Sequence, residues 1–282
     1  MKEISNFASN FNINKTNTYH LSLQFSKSGY TYSIADTIKR QYLGIKHVPF
    51  NNNKLNPEYY YDMVADVLNQ DQLLSKNYKA VDLIYVSDKS TLIPANMFDK
   101  AYVRQLFEVN FQLFDYEEIH FNKLKSSDIY NVFVIPSYIT TLFINTFPEI
   151  RFFHQTTPMI ESLYQFKHQF KNIFVAVNVY YDFIDVLGIK QGKIQFFNTF
   201  AFKNNSDILY YITNIIAKHK LDPDFLPLLL SGYIEPKSEL MYLLLKYFPK
   251  ADVNKLNNGM KYKFNDVPDY MFRNVLSLFL CE

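Results

Sequence analysis

The order of elements along the chain predicts an α/β protein of two related halves, each a mixed five-stranded sheet flanked by helices. Three observations carry this. From Thr18, and again from Lys171, the sequence runs through three strand-like segments, an amphipathic helix and a further strand, which in the second pass ends at Ser231-Gly232. The helices of the two passes share one spacing, Tyr60, Met63, Val64, Val67 and Leu68 in the first and Ile208, Tyr211, Ile212, Ile215 and Ile216 in the second. That spacing gives each helix one apolar stripe to bury. Finally, 282 residues with 48% hydrophobic content suit two medium domains. The halves fall at residues 1–170 and 171–282, the first carrying an insertion at about 95–128 that the second lacks.

Residues 1–17 are polar and Asn-rich and are expected to form a loose arm. Tyr19, Leu21, Leu23 and Phe25 then alternate with His20, Ser22 and Gln24, and alternation resumes at Tyr30, Tyr32 and Ile34. The intervening Ser26-Lys27-Ser28-Gly29 marks a hairpin turn. A third strand is expected within Gln41–Phe50, ended by Pro49 and the Asn51-Asn52-Asn53 loop. Pro57 suits the first turn of the helix that follows. Val81–Val86 and Thr91–Ile93 read as strands paired through Asp88-Lys89 and closed by Pro94. Phe98, Ala101, Tyr102 and Leu106 describe a helix, Glu118–Phe121 a short strand, and Val132–Ile135 an apolar strand stopped by Pro136. A helix with Ser137 as N-cap runs to about Phe147, Arg151–His154 is a strand, and Pro158 starts a helix to about Phe170.

In the second half Val175, Val177 and Val179 alternate with Phe174, Ala176 and Asn178. Asp182–Ile189 and Lys193–Phe202 pair across Gln191-Gly192, a short hairpin turn. Ser206 is expected to cap the next helix, and Leu226–Leu230 makes the fourth strand. Pro236 opens a helix with Leu240, Leu243, Leu244, Tyr247 and Phe248 on one face, Val253–Leu256 forms a short strand, and a last helix spans about Pro268–Phe279.

Composition narrows the partners. With 29 basic and 27 acidic residues the net charge is +2, so no broad electrostatic attraction to nucleic acid or anionic membrane is expected. Cys281 stands alone and cannot form an intramolecular disulfide, which suits a reducing compartment. The first residues lack the apolar core of a signal peptide, and no apolar run approaches the roughly 18–20 residues that span a bilayer. A cytoplasmic protein without membrane insertion is therefore expected. The 27 Phe and 23 Tyr fall mostly at core-facing spacings, without the basic, aromatic-interleaved groove of a base-stacking surface. His20, His47, His120, His154, His168 and His219 show no paired ligand spacing, and one cysteine makes no thiolate zinc cluster, so no metal site is expected. Nucleophile motifs such as Gly-x-Ser-x-Gly are absent.

Three antiparallel strands, a helix, a strand, a helix and a strand, met twice, resemble the ribonuclease H-like unit that is paired in actin-like ATPases. Leu92-Ile93-Pro94 followed by the 95–128 insertion is similar to the layout of the actin-like pilus-assembly proteins and of the related cytoplasmic domain of the type II secretion platform. Asn198-Thr199-Phe200, Asp207-Ile208-Leu209-Tyr210-Tyr211, and His154 with Thr157-Pro158 resemble an uncharacterised bacterial family of domains of unknown function assigned the same fold. The likeness covers about Thr18–Leu256.

The resemblance implies a nucleotide cleft. The first phosphate hairpin of the superfamily carries Asp-x-Gly, where the matching turn here keeps Gly29 but has Ser26 or Gln24 in the carboxylate's place. In the second hairpin the Asp and Gly positions fall near Asn178 and Tyr180, and a tyrosine prevents the close backbone approach that glycine allows. The adenosine motif, a Gly-Gly pair after the fourth strand, is half present as Ser231-Gly232. The implied cleft residues, as a vestigial site, are Ser26, Lys27, Ser28, Gly29, Asn178, Ser231 and Gly232. Lys27 among hydroxyls and free N–H groups would make an anion cradle, and a solvated hairpin turn is the plain alternative. Gly232 either admits an adenine or permits the turn toward Pro236. The cleft is expected near the turns Ser26–Gly29 and Tyr180–Asp182, narrowed by the rings of Tyr180 and Tyr181.

Asp182 and Asp185 raise a metal-dependent nuclease reading. Residues three apart on a strand point to opposite faces, so Asp182 is expected beside the turn and Asp185 exposed. Together these readings lead to a catalytically degenerate actin-like protein that acts as a binding or scaffold module for a protein partner, without cofactor. The competing expectation is a nucleotide-dependent ATPase or sugar-kinase-like enzyme that uses ATP and magnesium through replacement residues.

Overall fold

Period-two alternation and the two matched helices build the observed architecture. In the computed structural model the described residues are 2–50, 57–164, 166, 169–170, 172–264 and 266–281. They form two compact units, Met1–Glu161 with Gly259–Val267 and Asn274–Glu282, and Ser162–Asn258 with Pro268–Arg273. The expected loop at Asn51-Asn52-Asn53 and His168 lie outside the described residues.

The first unit contains, in chain order, β1 (Ile4–Phe7), β2 (His20–Ser26), β3 (Gly29–Asp36), β4 (Gln41–Pro49), α1 (Pro57–Gln70), β5 (Ala80–Tyr85), β6 (Ser90–Pro94), α2 (Val103–Glu108), β7 (Glu117–Lys123), β8 (Ile129–Pro136), α3 (Ser137–Thr146) and β9 (Arg151–His154). The helix α4 (Thr156–Tyr164) follows. Six strands make one sheet in the order β1-β4-β3-β2-β5-β9, antiparallel from β1 to β2 and parallel from β2 to β9. Leu21, Leu23 and Phe25 of β2 meet Tyr60, Val64 and Leu68 of α1 and Phe143 of α3 in one buried cluster. Burying each such side chain stabilises by roughly 1.5–3 kcal/mol, which is why the stripe on α1 fixes its face. A separate three-stranded sheet, β6-β8-β7, packs Ile93, Val132 and Val134 around Phe107 of α2; α2 and β7 come from the 95–128 stretch, and β6 and β8 flank it.

The second unit contains β10 (Phe174–Val179), β11 (Phe183–Lys190), β12 (Lys193–Ala201), α5 (Asn205–Lys218), β13 (Leu228–Gly232), α6 (Glu239–Tyr247) and β14 (Ala251–Val253). Its sheet runs β12-β11-β10-β13-β14, with β10 parallel to β13, β13 parallel to β14 and the other neighbours antiparallel. Apart from β1, the two large sheets share strand order and directions. The chain ends with α7 (Arg273–Ser277) and a 3-10 turn at Leu278–Cys281.

Several local expectations are corrected. The arm is ordered: β1 pairs with β4, Phe7 and Phe11 pack at a 5.2 Å ring separation, and Ile13–Thr18 is a 3-10 turn capped by the Asn12 side chain. β5 and β6 do not pair with each other. β5 joins the large sheet between β2 and β9, and β6 pairs with β8. The N-cap of α3 is Pro136, not Ser137, and that of α5 is Asn204, not Ser206, because Asn204 reaches both the Ser206 and Asp207 N–H groups. α6 starts at Glu239 behind the cap Ser238, past Pro236, and α4 starts at Thr156 rather than Pro158. At the C-terminus Pro268–Phe272 forms turns, so the last helix is short.

Candidate functional site

The β2–β3 hairpin turn places Ser26, Lys27, Ser28 and Gly29 together in the first unit. Ser26 Oγ donates to Gly29 O at 3.0 Å and accepts the Ser28 N–H at 3.2 Å, with Ser28 Oγ 2.9 Å away. The hydroxyl that a phosphate would need is thus engaged in closing the turn. Gly29 adopts φ +150, and a Cβ there would press on Val48 O and Pro49 Cα, so the glycine serves the approach of β4. Lys27 is exposed at the turn tip.

In the second unit the parallel register sets Asn178 beside Ser231 and Val179 beside Gly232 at the ends of β10 and β13. Ser231 Oγ donates to Asn178 Oδ1 at 2.7 Å, both residues being buried. Gly232 has φ +82, donates its N–H to Tyr270 O at 3.0 Å and accepts from Ile234 N–H at 2.8 Å. A Cβ at this position would strike Val179 O, so the chain leaves the strand here only as glycine.

The same row continues across the sheet. Asp185 on β11 lies opposite Asn178, and Thr199 on β12 lies opposite Asp185. Val177, Val179, Ile184, Val186 and Leu230 face the helices, so Thr199, Asp185, Asn178 and Ser231 share the other face. Asp185 is fully buried, correcting its expected exposure, and accepts a 2.6 Å bond from Thr199 Oγ1. The cause is the sheet itself: β11 is buried on both faces along nearly its whole length, and the Thr199 hydroxyl supplies a hydrogen bond that the buried carboxyl group would otherwise take from water. Tyr180 is buried and stacks on Phe183 at 4.5 Å, while Tyr181 is 66% exposed.

A second polar cluster lies in the first unit where β9 runs into α4. His154 Nε2 lies 3.0 Å from Ser87 O, and its Nδ1 lies 2.9 Å from Thr156 Oγ1 and 3.4 Å from Thr156 N. A carbonyl only accepts, so Nε2 carries the proton and Nδ1 accepts. Gln155 brackets the same residue, donating to Ser87 O at 2.6 Å and accepting from Ser87 N–H at 3.2 Å. Thr157 Oγ1 accepts from Asn131 Nδ2 at 3.0 Å. Burial lowers the His154 pKa to about 3 against the opposing Ser87 bond, so the ring is neutral and acts as a fixed strut rather than a proton shuttle.

Two further groups complete the chemical inventory. Asp82, fully buried, takes a bidentate pair from Arg151 at 2.6 and 2.8 Å and faces His20 Nε2 at 2.9 Å. Burial pushes the Cys281 thiol well up, which keeps it protonated and a poor nucleophile. Among the described residues no three His, Cys, Asp or Glu side chains come together as a metal-holding group, and no helix is long and apolar enough to cross a membrane. Sequence reasoning missed the partners of Asn178, namely the row from Thr199 to Ser231, and the lock on Ser87. The only advance signal was the family resemblance carried by His154 and Thr157-Pro158.

Residues 8–251 match the family described as "Protein of unknown function (DUF3822)". A protein of actin-like ATPase fold and unknown function from Bacteroides thetaiotaomicron superposes with a TM-score of 0.80 at 24% identity, over 94% of this chain and 98% of its own. A chain of the PilM–PilN type IV pilus biogenesis complex superposes with a TM-score of 0.62 at 9% identity, over 94% of this chain and 99% of its own. At such identities the likeness establishes the fold, that of the actin-like ATPases, and leaves function to the site. No curated protein matches the chain.

Proposed function

The chain belongs to the DUF3822 family of proteins of unknown function, and from that premise we propose that it is a catalytically degenerate actin-like protein working as a binding or scaffold module. The observation that carries the reading is the engagement of the polar groups at the vestigial positions. Ser26 closes its own turn, Ser231 is spent on Asn178, and Gly232 is held by Tyr270 and Ile234. An amide at Asn178 offers a weaker metal ligand than the carboxylate the resemblance implies, and Tyr180 brings a ring where a glycine would leave backbone N–H groups open. A protein partner is the favoured ligand class. It is supported by exposed aromatic surface in the first unit, where Phe114 and Tyr116 stack at 5.6 Å and Tyr116, Tyr138 and Tyr61 continue the row. One structural neighbour is itself part of a protein complex.

Thermal unfolding and turnover with ATP and magnesium test the reading. A nucleotide at about 100 times its dissociation constant stabilises by about 2.7 kcal/mol, so binding would raise the melting temperature visibly. The expected outcome is no rise and no phosphate release. Hydrolysis that is lost in Lys27→Ala or Asn178→Ala would instead establish a nucleotide-dependent enzyme using replacement residues.

A further inference from the structure

The two large sheets differ at one edge. In the first unit β4 is flanked by β1, antiparallel, with Ile4 opposite His47 and Phe7 opposite Gly44. In the second unit the topologically equivalent strand, β12, is the outermost, and among the described residues no strand lies beyond it. The Phe202 N–H bonds Asp182 O at 3.0 Å, which makes that pair a hydrogen-bonded one. Counting back in twos along the register, Phe200, Asn198 and Phe196 direct their backbone groups to β11, and Ala201, Thr199 and Phe197 direct theirs outward.

Edge strands of soluble proteins are protected by brevity, proline, central lysines, bulges or a covering segment. β12 has nine residues, no proline, and one charge, Lys193, at its first position. The irregularity in its pairing with β11 lies near the turn, leaving Phe196–Ala201 regular. Beside it the surface is aromatic: Tyr211 stacks on Phe200 at 4.6 Å, and Tyr210, 64% exposed, meets Tyr211 at 5.5 Å.

We propose that β12 is a self-association edge, pairing antiparallel with β12 of a second copy of this chain. The filled slot beside β4 shows the kind of occupant the unfilled one takes, a short antiparallel strand of aromatic, aliphatic and small polar residues: Ile-Ser-Asn-Phe in β1 against Phe-Asn-Thr-Phe within β12. A two-fold axis at Thr199 sets Thr199 against its own copy and Phe197 against Ala201, all within the regular stretch. No like charges meet there.

Sedimentation across the micromolar range, with Ala201→Pro beside the wild type, tests this. Proline at an outward-facing edge position removes an intermolecular donor without removing one from the β11–β12 ladder. The expected result is a wild-type dimer that becomes monomeric in A201P, with the melting behaviour of the dilute monomer unchanged. Hydrogen exchange on the wild type gives an independent reading: the Phe197, Thr199 and Ala201 amides gain protection as concentration rises. A monomer at every concentration, a dimer that survives A201P, or concentration-dependent protection elsewhere overturns the proposal. So does protection of β12 that needs a different protein.

Discussion

His154 and His47 are held neutral by burial, His154 at a pKa of about 3 and His47 at about 4, against the ordinary 6.5. The unfolded chain binds a proton at each below its ordinary value, whereas the folded chain refuses it until the lowered one. Stability from these two residues is therefore full above the ordinary histidine pKa and is lost as pH falls toward the folded values. Each contributes a slope of about 1.4 kcal/mol per pH unit within that window. Urea unfolding between about pH 7 and about pH 4 should show that slope, reduced by one histidine's share in His154→Gln. A pH dependence identical in wild type and variant would contradict the burial argument. The strut matters because His154, with Gln155, pins Ser87 at the end of β5 to the start of α4.

The cap of α5 shows what element-level reasoning could and could not find. Asn204 Oδ1 accepts from Ser206 N–H at 2.9 Å and Asp207 N–H at 3.1 Å, while Asp207 accepts the Asn204 N–H at 3.3 Å. Asn204→Ala removes both acceptors and is expected to cost about 1 kcal/mol, read as a lower denaturation midpoint with unchanged m-value. The helix was legible from Ile208, Ile212, Ile215 and Ile216, but three consecutive cap-forming side chains, Asn204-Asn205-Ser206, left its first residue open. Strands were legible wherever alternation was strong, as from Tyr19 to Phe25. Pairing was less so, since β5 and β6 are close in sequence yet join different sheets through partners far along the chain. The candidate site followed the same rule. The Ser26–Gly29 turn is local and could be read directly. The contact of Asn178 with Ser231 depends on a parallel register, and the burial of Asp185 on a sheet covered on both faces, and neither leaves a mark in periodicity.

At the scale of the whole molecule, the return of the C-terminal residues to the first unit is the feature periodicity hides most completely. Lys261 donates its N–H to Arg40 O at 2.7 Å and accepts from Tyr42 N–H at 3.1 Å, an isolated bridge without a strand around it. Gly259, at φ +74, gives the Arg40 side chain room that a Cβ would take. Farther on, Tyr42 Oη donates to Leu276 O, and Val275, Leu276 and Leu278 are buried. Three such side chains contribute about 5 kcal/mol or more. A domain's entire net stability is only about 5–15 kcal/mol, so this segment decides whether the first unit holds together. A chain lacking residues 274–282 is therefore expected to lose protease resistance across residues 1–161 first, while Ser162–Asn258, whose cluster of Val175, Val177, Ile212 and Leu244 includes none of the deleted side chains, stays protected. Limited proteolysis with mass mapping of the fragments checks this. Equal loss of protection in both units, or in neither, would mean that the C-terminal segment is not the closing piece of the first core.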